Sequence, residues 1–197
     1  LIGDFIYSKA FMLMNEIGNF KVIDELSSAT NKIAEGELMQ LANKNNLNTS
    51  LQQLKKISYY KTGRLFEASA KSAAMLSGKS IPFIENISKA AKLIGIAFQV
   101  RDDLLDYGVS KGNIGKPEMQ DILEDKITYP LYFALKYSNK KDSSKILKKL
   151  KNKDFSIEEV ADFVSSSNAF NKCNSLIQNY SNEISKCINK ISNKEIR

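Results

Sequence analysis

Three aspartates crowd one face of an otherwise apolar helical stretch, Gln99-Val100-Arg101-Asp102-Asp103-Leu104-Leu105-Asp106. At about 100° per residue, Asp102, Asp103 and Asp106 share a face, and Gln99 joins them one turn earlier. Ile94, Ile96, Ala97, Phe98, Val100, Leu104 and Leu105 around them call for burial. The carboxylates repel one another, and no lysine stands at helical spacing to neutralise them. Carboxylates in a low-dielectric setting need a compensating cation, and an all-oxygen cluster suits a hard ion such as Mg²⁺.

The rest of the chain reads as helix. Nine glycines, three prolines and little alternation of apolar with polar residues argue for an all-α protein, and 197 residues fit one domain spanning 1–197. Helices are expected over 1–17, 20–44, 50–77, 82–107, 127–138, 142–152, 156–167 and 170–193, with a short turn near Glu118–Glu124. Ser50 offers an N-cap, Gly78 an end, Pro82 a first turn, and Ser156 with Glu159 a capping box. The first helix begins without a cap, as though in the middle of something. Its Phe5, Ser8, Ala10, Phe11 and Met12 read chiefly as core packing.

Composition closes off several chemistries. The absence of histidine excludes Ser-His triads and zinc sites of the usual nitrogen type. Cys173 and Cys187 stand fourteen residues apart on one expected helix, roughly 21 Å, beyond disulfide reach. The net charge of +7 comes overwhelmingly from lysine, with arginine only at 64, 101 and 197. Scattered among acids, those lysines read as a solvated surface rather than a nucleic-acid footprint. With neither a cleavable leader nor a long apolar run, a cytoplasmic protein without a membrane segment is expected.

Two further signals flank the acidic helix. Tyr60-Lys61-Thr62-Gly63-Arg64-Leu65-Phe66 puts a glycine in mid-helix, which costs about 1 kcal/mol relative to alanine and points to close approach by another group. Gly115-Lys116-Pro117, Asp121 and Lys126-Ile127-Thr128-Tyr129-Pro130 follow, a loop whose lysines can face the same cavity. Together the three describe one site in which carboxylates hold divalent metal, metal holds a diphosphate, and lysines cover its remaining oxygens. No conventional nucleophile or base is visible, so metal activation of a leaving group is the expected chemistry.

In these residues the chain resembles the trans-isoprenyl (polyprenyl) diphosphate synthases. The likeness rests on Gly3-Asp4-Phe5, Glu35-Gly36-Glu37 with Gln40, Lys61-Thr62-Gly63 with Leu65-Phe66, Phe98-Gln99 through Asp106, Gly115-Lys116, and Lys126-Ile127-Thr128 with Pro130. It implies an isoprenoid-synthase-like helical bundle around a central cavity, lacking its first helices. Asp102, Asp103 and Asp106 would then bind Mg²⁺ on an allylic diphosphate. Lys61, Lys116 and Lys126 would contact that diphosphate, with Thr62 and Gln99 lining the site. Isopentenyl diphosphate would attack the allylic cation, and the enzyme would work as a homodimer. The family's first aspartate-rich motif and paired arginines lie upstream of the Gly-Asp-Phe element, at which this chain begins. An N-terminally incomplete piece without synthase activity of its own is therefore expected, and the similarity leans toward long-chain products. The rival readings are a non-catalytic or degenerate helical subunit, a terpene cyclase using the same metal chemistry, and a lysine-rich nucleic-acid-binding protein.

Overall fold

Five helices start where the sequence supplies a side-chain oxygen to cap them. In the computed structural model, which describes residues 1–108 and 119–191, Asn19 accepts from the Lys21 and Val22 amides, Ser50 from Gln53, Ser80 from Phe83, Asn139 from Asp142 and Ser156 from Glu159. These caps satisfy amides that have no partner inside their own helix. Among the described residues the chain runs α1 (Ile2–Ile17), α2 (Phe20–Ala42), α3 (Leu51–Ser58), a π-turn (Tyr59–Gly63), α4 (Arg64–Leu76), α5 (Ile81–Asp106), α6 (Gln120–Leu123), α7 (Tyr129–Tyr137), α8 (Lys140–Asn152), α9 (Ile157–Ser166) and α10 (Ala169–Ile188). No strand occurs among them, and no described helix is long and apolar enough to cross a membrane.

Helix α5 is the axis of the bundle. Helices α4 and α10 pack along it, and α2 packs on α4. Val100 and Leu104 are fully buried with Leu131, Val160, Val164 and Cys173 in one core contributed by α5, α7, α9 and α10. Both cysteines of α10 are buried free thiols.

The expected third helix is interrupted. Five residues, Tyr59–Gly63, wind as a π-turn between α3 and α4. Glycines permit the contacts around it. A Cβ on Gly36 of α2 would lie 2.6 Å from the Lys61 amide nitrogen, and a Cβ on Gly95 of α5 would lie 2.5 Å from the Gly63 Cα. Backbone meets backbone on both sides of the turn. A buried ion network fastens the same region: Arg64 and Lys71 of α4 both bond Glu25 of α2, while Tyr59 donates to Glu67 at 2.7 Å. Burial disfavours charge on Glu25, yet the bonds and charges of Lys71 and Arg64 outweigh it and hold the carboxyl below its ordinary value.

Two expectations about burial do not hold. Helix α1 has no buried residue; Phe5 is 69% exposed and Met12 53%. On α5, Ile96, Val100 and Leu104 are buried, but Ile94 and Phe98 are exposed. These apolar groups share a face that the described elements leave largely open, with the Phe98 ring meeting Phe66 of α4 at 5.9 Å, because α4, α7 and α10 pack mainly on the other sides of α5.

Candidate active site

Four of the residues singled out in the sequence meet at one cleft. Lys61, Gln99, Asp103 and Lys126 line it, together with Gln40, Asn43, Ser58 and the Ile127-Thr128-Tyr129 segment. The π-turn contributes Lys61, α5 contributes Gln99 and Asp103, and the stretch before α7 contributes Lys126; Thr62 does not line the cleft and reaches it only through its bond to Gln99.

Asp103 is the buried centre of this arrangement, 4% exposed. Gln99 Nε2 donates to it at 2.9 Å and the Tyr129 amide at 3.2 Å. Burial pushes its carboxyl up to about 7 against the pull of the Gln99 bond, and the nearby charges of Asp121 and Asp102 add to the rise. The Gln99 side chain also accepts from Thr62 Oγ1 at 2.9 Å, so one amide fixes both the π-turn and the acid. Ser58 Oγ donates its hydrogen to the Leu54 carbonyl, which leaves its oxygen to accept from Tyr129 Oη at 3.0 Å. The start of α7 is thereby held against α3 and under Asp103.

The cations are held by acids and amides of their own. Lys61 Nζ donates to Gln40 Oε1 at 2.7 Å and lies 3.3 Å from Glu37. Lys126 pairs with Glu124 at 2.7 Å and with Asp121 at 3.4 Å. That pairing holds the Glu124 carboxyl down at about 2. Asp121 goes the other way: burial raises it, the charge of Asp106 adds to the rise, and Lys126 opposes it.

Asp106 has a structural duty. Its side chain accepts from the Gln120 and Asp121 amides at 2.9 and 3.1 Å, capping α6. Asp102 is half-buried beside Asp103. Gly115 and Lys116 lie outside the described residues. Asp121, Tyr129 and Ser58 complete the site. The sequence marked Asp121 only as a loop acid, and the Tyr129 contribution is a backbone amide with no side-chain signature.

A hard divalent cation suits these donors. Asp103 and Asp106 are held by amides rather than cations, and the charges of Asp102, Asp106 and Asp121 add to the raised pKa of Asp103 or of Asp121. Added positive charge would relieve that repulsion. Among the described residues no three carboxylates converge on a common point in this conformation; Asp106 instead turns toward α6.

The family model for polyprenyl synthetase matches residues 1–166. The chain belongs to that family. It is 38% identical over 146 residues to the octaprenyl diphosphate synthase of Escherichia coli strain K12, covering 74% of this chain and 45% of that protein. It is 33% identical over 174 residues to the all-trans-nonaprenyl-diphosphate synthase (geranyl-diphosphate specific) of Rhodobacter capsulatus, covering 88% and 53%. Among solved structures, it resembles a polyprenyl synthase from Caulobacter crescentus CB15, complexed with calcium and isoprenyl diphosphate. The TM-score is 0.89 and the identity 28%, over 98% of this chain and 60% of that one. The chain spans about half the length of the curated relatives it matches. The all-α expectation and the polyprenyl synthase resemblance both hold.

Proposed function

We propose that this chain supplies the allylic-diphosphate half of a long-chain trans-prenyltransferase. The enzyme would act as a cytoplasmic homodimer that condenses an allylic diphosphate with isopentenyl diphosphate. The observation that carries the reading is the meeting of Lys61, Gln99, Asp103 and Lys126 on one cleft in a chain of this family. Mg²⁺, when bound by Asp102, Asp103 and Asp106, supplies electrostatic stabilisation of the departing diphosphate.

The side chains divide the remaining work. Lys61 and Lys126 bring ammonium groups to the diphosphate oxygens, held in place by Gln40 and Glu37 and by Glu124 and Asp121. Lys116 is assigned the same role. Gln99 orients Asp103 and holds Thr62, so the acid and the π-turn keep their spacing as charge develops. The apolar face of α5 with Ile94 and Phe98 leaves room for a hydrocarbon beside the polar end. The chain lengths named for the relatives, octaprenyl and nonaprenyl, support a long product.

The test is a prenyl-transfer assay on the full-length protein with Mg²⁺, a short allylic diphosphate and labelled isopentenyl diphosphate. Linear polyprenyl diphosphate is the expected product, abolished by chelation. A cyclic product formed without isopentenyl diphosphate, or no turnover in an intact folded protein, overturns the reading.

A further inference from the structure

The excess charge of the chain is not spread over its surface, as the sequence alone suggests. Residues 136–153 hold eight lysines and one acid, Asp142, and so carry +7, which is the net charge of the whole chain. The rest balances. Most of this segment forms α8, whose apolar side is already taken up: Ser143 and Ile146 are buried and Leu150 packs on the main core.

At 100° per residue, Lys140, Lys141, Lys145, Lys148 and Lys151 fall within an arc of about 140° facing away from Ile146. All five are exposed. Lys145 reaches Glu159 only at 3.8 Å while 67% exposed, and no hydrogen bond or ion pair among the described residues engages the other four. Their neighbours Lys149 and Lys153 are tied down by Glu159 and Asp125. Like charges concentrated on one solvated face repel each other, and an extended anionic counterpart relieves that repulsion more fully than dispersed counterions do.

We propose that this lysine face docks the protein on an anionic bilayer surface. The chemistry of the face selects that partner. Lysine is a compact, strongly hydrated point charge suited to a diffuse sheet of anionic headgroups, whereas nucleic-acid readout favours arginine forks and aromatic stacking. Helix α8 has neither arginine nor an aromatic residue. Its apolar side is committed to the core, so the helix lies on the surface without inserting, and the attraction is Coulombic and salt-sensitive. Lys153 also anchors the end of α8 to Asp125, next to Lys126 of the cleft, at 2.9 Å. The bilayer is where a long hydrocarbon product would be delivered, but the docking does not rest on that activity.

Vesicle flotation of the full-length protein, without substrate, tests it. Binding is expected to phosphatidylglycerol-containing vesicles and not to pure phosphatidylcholine, falling as salt rises. At about fivefold per lysine, the quadruple variant K140Q/K141Q/K148Q/K151Q should partition at least about a hundredfold more weakly. It should keep its helix content by circular dichroism and its prenyl-transfer activity. A variant with equal charge loss elsewhere, K21Q/K89Q/K186Q/K190Q, should keep most of the binding. The proposal is overturned by equal binding to neutral vesicles, by no binding to anionic ones, or by a control variant as weak as the α8 variant. Lysine-dependent binding to duplex DNA or RNA that outcompetes the vesicles overturns it in favour of a nucleic-acid partner.

Discussion

Gly63 and Gly95 meet so closely that a Cβ on Gly95 would lie 2.5 Å from the Gly63 Cα. The contact falls one residue after Thr62 and one helical turn before Gln99, the pair bonded at 2.9 Å. The spacing across the cleft is thus set by backbone contact between the π-turn and α5.

The first prediction separates that contact from helix propensity. Alanine is favoured over glycine in a helix by about 1 kcal/mol, so Gly3→Ala in α1, where nothing lies within 4 Å, should be neutral or slightly stabilising. Gly95→Ala should instead destabilise by about 1–3 kcal/mol, because backbone cannot move aside as a side chain can. Thermal or urea unfolding followed by circular dichroism reads both. Equal effects of the two substitutions would show that the close contact does not matter.

Gln99 must present a carbonyl to Thr62 and an amide to Asp103. Gln99→Leu removes both the carbonyl and the amide without adding charge beside the buried acid. Mg²⁺ affinity, measured by calorimetry in the presence of an allylic diphosphate analogue, should fall about 10- to 100-fold, as for other groups that orient a metal ligand. An unchanged affinity would remove Gln99 from the site.

Asp103 is buried at a cost, with its carboxyl pushed up to about 7. Asp103→Asn removes the buried charge but turns one of two accepting oxygens into a donor facing Gln99 or Tyr129, so the opposing effects should leave the unfolding free energy within about 2 kcal/mol of the parent. Under the proposed function, prenyl transfer by the protein should fall at least about a hundredfold. Loss of stability together with activity would recast Asp103 as a packing residue.

Glu25 contributes to stability in a pH-dependent way. Its folded-state pKa lies below the ordinary 4.5, so the contribution is fully present above that value and is lost as pH falls through the folded value. Glu25→Gln leaves Arg64 buried without its carboxylate and should cost about 2–3 kcal/mol at neutral pH. The gap between parent and variant should narrow below about pH 4.5, as acid neutralises Glu25 in the parent. A gap that stays constant from pH 7 to pH 3 would exclude the ion network as its source.

Local physics was enough to read most helices and their limits. A cap at Ser50 or Ser156 and the proline at position 82 act within four residues, so their consequences are written in the sequence itself. The acids of α5 and Gln99 were equally legible, since helical periodicity alone puts them on one face. The close approach at Gly63 was legible as a glycine out of place in a helix.

Tertiary structure decided the rest, because it joins groups distant along the chain. That Asp103 is buried under the Tyr129 amide, that Asp106 caps α6, and that Arg64 and Lys71 share Glu25 depend on contacts spanning roughly 15 to 50 residues. The exposure of α1 and Phe98 belongs here too. An apolar side chain announces that it needs cover, but only the packing of the other helices determines whether they provide it.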